Sequence, residues 1–103
     1  MTGPSRYEVL SQLALDAIQA EATRAHIHHG QRSMLGSAYT SGDRLAILVE
    51  EVGKVAHELT YDAGGPGVGE GRHDELVREL IQVAAMAASW IEYLETISPA
   101  ATR

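Results

Sequence analysis

Apolar residues recur along this chain at steps of three and four, the period of helices with one buried face. The first stripe is Leu10, Leu13, Ala14, Ala17 and Ile18. It predicts a helix over about 5–29, with Ser5 and Glu8 at capping-box spacing just after Pro4, and the pattern fades at His28-His29-Gly30. Leu45, Leu48, Val52, Val55 and Leu59 predict a second helix over 43–61, capped by Ser41 or Asp43. Leu76, Leu80, Val83, Ala84, Ala87, Ile91 and Leu94 predict a third over 73–97, with Asp74 and Glu75 in its first turn and Ser98-Pro99 as its stop. Between Val83 and Ala88 this helix is apolar all round, which predicts burial on more than one side.

The connections differ in kind. Residues 30–42 hold three glycines and three serines and read as a link long enough for a short extra turn. Residues 62–72 carry five glycines and a proline and read as a flexible surface loop. The expected architecture is therefore all-α: a single domain over residues 1–103, folded as a three-helix up-down protomer. A second copy would complete a four-helix or larger bundle, so a homodimer or homotetramer is expected.

Composition narrows the partners. A net charge of −6, without a basic stripe or an aromatic platform, argues against nucleic acid as the main partner. There is no cysteine, hence no disulfide or thiolate metal site. With neither a signal-like segment nor an apolar run of membrane-spanning length, a cytoplasmic protein away from the membrane is expected.

The candidate chemistry lies beside the apolar stripes. Ile47, Glu51, Lys54 and Glu58 share one line of the second helix, and Glu75, Glu79 and Gln82 share one line of the third. Carboxylates three or four residues apart on facing helices can hold a hard divalent ion. The plainer reading is a solvated face, with Glu50–Lys54 and Lys54–Glu58 as i,i+4 pairs. His26, His28, His29 and His57 suggest either a zinc or nickel site or, more simply, a polar helix end. The glycine-rich loop follows a helix and lacks a Gly-Lys-Ser/Thr ending, so it is a connector and not a phosphate loop. Trp90, in register with Val83, Ala87 and Leu94, reads as core or interface.

Two stretches carry a resemblance. Arg44-Leu-Ala-Ile-Leu-Val-Glu-Glu-Val-Gly-Lys-Val-Ala-His-Glu-Leu59 and Glu79-Leu-Ile-Gln-Val-Ala-Ala-Met-Ala-Ala-Ser-Trp-Ile-Glu92 resemble MazG-like nucleotide pyrophosphohydrolases, most of all the short versions of actinobacteria and their phages. His29-Gly-Gln-Arg-Ser-Met34 is similar to the segment that precedes the second helix in those proteins, and the resemblance covers roughly residues 25–95. It implies that an ExxE pair and an ExxD pair hold magnesium, which positions a nucleoside triphosphate for hydrolysis to monophosphate and pyrophosphate. ExxE falls on Glu51 and Lys54, and ExxD on Glu79 and Gln82, so only the first acid of each pair is kept.

This departure sets the expected roles. Glu51, Glu79 and Gln82 are the expected ligands of Mg2+, or of Mn2+, and Gln82 contributes only a neutral carbonyl oxygen. Glu50 and Glu58 are the candidate catalytic acids. A protonated Lys54 repels a metal and becomes a candidate contact to the triphosphate, or marks a lost second ion. The alternative is a catalytically inactive MazG-like module that binds a nucleotide or another protein, such as a phage-encoded regulator.

Overall fold

The computed structural model describes residues 9–59 and 71–97. Among these, every regular element is helical: α1 (Gln12–His29), a 3-10 turn (Gly30–Arg32), α2 (Ser41–His57) and α3 (Gly71–Ile97). The all-α expectation holds. Ser5 and the 62–70 part of the expected flexible loop lie outside the described residues.

Helix starts follow their capping chemistry. α1 begins seven residues later than Ser5, because Ser11 Oγ accepts from the Ala14 N–H at 3.1 Å while Val9 and Leu10 stay non-helical. α2 is capped by Thr40 and not by Ser41 or Asp43. Thr40 Oγ1 accepts from the Asp43 N–H at 3.1 Å, and the Asp43 carboxylate accepts from the Thr40 N–H at 3.0 Å, a reciprocal capping box. The Thr40 backbone N–H, and after it the Thr40 hydroxyl, hold the Asp43 carboxyl below the usual carboxylate range. α2 runs to His57 and passes into π-helical backbone at Glu58 and Leu59, and the end expected near Thr60 or Tyr61 lies outside the described residues.

α3 is the shared element and packs against both α1 and α2. Its all-apolar middle serves that purpose: Ala85 is buried, and Val83, Ala84, Met86 and Ala87 are half-buried. α1 turns a line of mostly small residues inward, Ala14, Ala17, Ile18, Ala22 and Ala25, while Leu13 and Ile27 remain exposed.

α2 departs from expectation. Its inward side carries Arg44, Ile47, Leu48, Glu51, Val55 and Glu58. Leu45, Val49 and Val52, at 53%, 60% and 48% exposure, share an outward stripe with Ala56 and Leu59. Three members of the expected core stripe, Leu45, Val52 and Leu59, therefore lie outside the protomer. The steps of that outward stripe alternate four and three, the period of a helix–helix seam.

The most thoroughly buried side chain is a charged one. Arg44 is 1% exposed. Its Nε donates to the Met34 carbonyl at 3.1 Å, and its two terminal nitrogens donate to the carbonyls of Tyr39 and Gly36. Its guanidinium carbon also lies 3.9 Å from the centre of the Tyr93 ring on α3. One arginine thus ties the 33–40 segment to α2 and α3.

The segment is tied internally as well. The Gln31 carbonyl accepts from the Ala38 N–H, and the Gln31 side-chain oxygen accepts from both the N–H and the hydroxyl of Ser37, each at 3.0 Å. Gly36 lies so close that a Cβ there would sit 2.2 Å from the Gln31 carbonyl oxygen, where no side chain fits. Residues 30–40, which read as a plain link, form a built loop.

Candidate functional site

A cavity of ≈400 Å3 opens where α1, the 30–39 loop, α2 and α3 meet. That volume falls in the range of small-molecule sites. Its apolar lining comes from Met34, Leu35, Ile47, Ala85 and Met86, with Tyr39 beside them. Charge is divided across it. α2 contributes Glu50 and Glu51, with Gln82 of α3, while the end of α1 and the 3-10 turn contribute His26, His29 and Arg32.

Glu21 and Arg24 also line the cavity, but they engage each other. The guanidinium donates to the carboxylate through two bonds, 2.8 and 2.6 Å long. This forked contact pulls the Glu21 carboxyl below its usual range against the opposing effect of burial. Two arginines therefore face three glutamates on the lining, and the mutual pairing of Glu21 and Arg24 leaves Arg32 and the histidines opposite Glu50 and Glu51.

The six residues nominated from sequence do not all converge. Glu50, Glu51 and Gln82 line the cavity together; Lys54, Glu58 and Glu79 are not on its wall. Lys54 turns along α2 to Glu51, with Nζ donating to Oε1 at 3.0 Å. That hydrogen bond, and then the fields of Glu51, Glu50 and Glu79, raise the Lys54 ammonium above its ordinary range. All three carboxylates are thus electrostatic neighbours of one lysine. Glu79 is half-buried, and its Oε2 is shielded from solvent with no hydrogen-bond partner.

A buried carboxylate oxygen without a donor calls for a cation or a proton. Carboxylate and amide oxygens, as on Glu51, Glu79 and Gln82, are donors of the kind one hard divalent ion takes. They do not fit two. Among the described residues no group of three or more histidines, aspartates or glutamates is placed to hold a metal, and the Lys54 ammonium occupies the neighbourhood a second ion would need. The same observation leaves the zinc or nickel alternative without a site; His28 and His29 instead meet edge to face at 4.6 Å.

Reasoning from periodicity missed several residues that build this site. Arg44 gives no signal, since an arginine in the first turns of an acidic helix reads as surface. Ser33, which is buried, looked like loop composition. Trp90 is half-buried as expected, yet its indole N–H finds no acceptor. No helix among the described residues is long and apolar enough to cross a membrane. No family model, curated protein or solved structure matches the chain.

Proposed function

We propose that this protein is a MazG-like nucleoside triphosphate pyrophosphohydrolase working with one magnesium ion, and that the cavity is its nucleotide site. The observation that carries the reading is the cavity wall formed by Glu50, Glu51 and Gln82, with the unpartnered Oε2 of Glu79 one helical turn from Gln82. Magnesium, when bound, would neutralise phosphate charge and orient the α-phosphate. Glu51, Glu79 and Gln82 would hold it. Hydrolysis forms a bond from water to the α-phosphorus and breaks the bond to the α–β bridging oxygen, releasing monophosphate and pyrophosphate. Glu50, on the same wall, would take the water's proton in preference to Glu58, which is away from the cavity.

Lys54 has a defined part in this scheme. Its ammonium supplies a fixed positive charge beside Glu51, where a second ion would otherwise be needed. A nucleotide arriving with magnesium would compete for Glu51, and the freed lysine could follow the phosphates.

The test is to incubate the protein with a panel of ribo- and deoxynucleoside triphosphates and magnesium or manganese, resolving products by anion exchange. Monophosphate and pyrophosphate appearing together, and falling at least about a hundredfold in Glu51→Ala, are the expected result. A second reading, a silent nucleotide-binding module, is favoured by the same Lys54–Glu51 pair, which satisfies a metal ligand internally. Hydrolysis seen only after Lys54→Glu with Gln82→Asp would select it.

The working form proposed is a homodimer or a higher homo-oligomer. Leu45, Val49 and Val52 of α2 supply the apolar seam its interface requires.

A further inference from the structure

His26 stands on the cavity wall with its imidazole tied from behind. Its Nδ1 lies 2.7 Å from Oγ of Ser33, and Ser33 is buried. The serine backbone is itself held on both sides: its N–H donates to the Gly30 carbonyl at 3.2 Å, and its carbonyl accepts from the Gly36 N–H at 3.0 Å. Arg44 then clamps the loop immediately beyond. The ring is therefore oriented by structure built around it.

A serine hydroxyl both donates and accepts. When His26 is neutral, Ser33 can donate to Nδ1, leaving the proton on Nε2. When His26 is an imidazolium, Ser33 accepts from the Nδ1–H, and Nε2 again carries a proton. In the imidazolium, and in the neutral tautomer to which Ser33 donates, Nε2 is a hydrogen-bond donor without a partner among the described residues; a phosphate oxygen selects these two over the neutral Nδ1–H tautomer, whose Nε2 only accepts. Arg32 lines the same side of the cavity, while the charge of Arg24 is engaged by Glu21.

We propose that Nε2 of His26, fixed by Ser33, donates to a phosphate oxygen at the distal end of a bound nucleotide, with Arg32 supplying the adjacent positive charge. The phosphate chain would then run between this wall and Glu51. The inference rests on reading the cavity as a nucleotide site. Basic residues in the last turn of α1 also complement its dipole. That effect accounts for His28 and His29, but it requires neither a buried serine behind the ring nor a place on the cavity wall.

Inorganic pyrophosphate, the isolated distal fragment, is the probe, titrated with excess magnesium and again with a chelator. Calorimetry and nitrogen NMR of the histidine rings would be read on the wild type, His26→Asn, His26→Gln and Ser33→Ala, each checked for folding by circular dichroism. The expected result is a shift of the His26 Nε2 resonance on binding and a roughly tenfold weaker Kd in His26→Asn. His26→Gln, whose amide reaches the Nε2 position, should recover part of that loss, and Ser33→Ala should lose a few-fold. Absence of pyrophosphate binding, or binding with the His26 resonance and the Kd unchanged, overturns the inference. Pyrophosphate bound at His26 without triphosphate hydrolysis would keep this site and remove the enzymatic reading; hydrolysis with a KM indifferent to His26→Asn would do the reverse.

Discussion

The 30–44 segment and the outward stripe of α2 make opposite use of their residues. The first is rich in glycine, serine and charge, yet it holds four buried residues: Ser33, Met34, Gly36 and Arg44. The second is a regular run of leucine, valine and alanine, yet it faces outward. Hydrogen bonds to carbonyls organise the first, whereas apolar area that the protomer leaves uncovered defines the second. The contrast teaches that in a domain this small, polar closure shapes the pocket while part of the apolar surface is left uncovered.

Breaking the polar half should have the largest effect. Arg44→Met removes the donors of three carbonyls and leaves them in the interior, at about 3 kcal/mol or more. Urea unfolding monitored by circular dichroism measures this, and a loss below about 1 kcal/mol would mean the loop stands without its arginine. Gly36→Ala should damage the same loop through its contact with Gln31. Its expected signature is faster amide exchange over 33–40, with α1 little changed.

The apolar half is tested by charge. Val49→Lys with Val52→Lys should weaken self-association by about 2 kcal/mol or more, since burying each valine is worth about 1.5 kcal/mol or more. Sedimentation velocity would show a shift toward monomer, and an unchanged distribution would mean that this stripe is not the interface. Smaller again is the α2 cap: Thr40→Ala should cost about 1 kcal/mol.

The cap also carries a pH signature. Asp43 titrates lower in the folded chain than in the unfolded one, so its contribution is complete above the ordinary aspartate range and fades as pH falls through the depressed value. Acid titration of stability should lose this component in Asp43→Asn and only part of it in Thr40→Ala, which keeps the backbone N–H; an identical acid limb in Asp43→Asn would argue against the capping box.

Legibility from sequence followed range. The existence of the helices and the special middle of α3 were readable, because they rest on periodicity, whereas the stop expected at Ser98-Pro99 lies outside the described residues. Starts were less so, since Ser5, Ser11, Thr40 and Ser41 are chemically interchangeable caps until the backbone chooses one. For the candidate site, Glu51 and Gln82 could be nominated from their lines on the helices and Glu50 from its place beside Glu51, and the cavity wall includes all three. Ser33 and Arg44 could not, because their partners lie seven to ten residues away along a turn that no local rule specifies.

By itself, then, the amino-acid order determined an acidic, cysteine-free, all-helical chain with carboxylates flanking its apolar stripes. Tertiary structure alone decided which way α2 faces. One residue's rotation about that helix separates the Leu45–Val52 stripe from the Arg44–Glu51–Val55 side, and both are consistent with a helical period. Arg44 lies on the side taken, with its guanidinium against the carbonyls of the folded 33–40 loop, and in that orientation Glu51 reaches the cavity while Val49 and Val52 face outward.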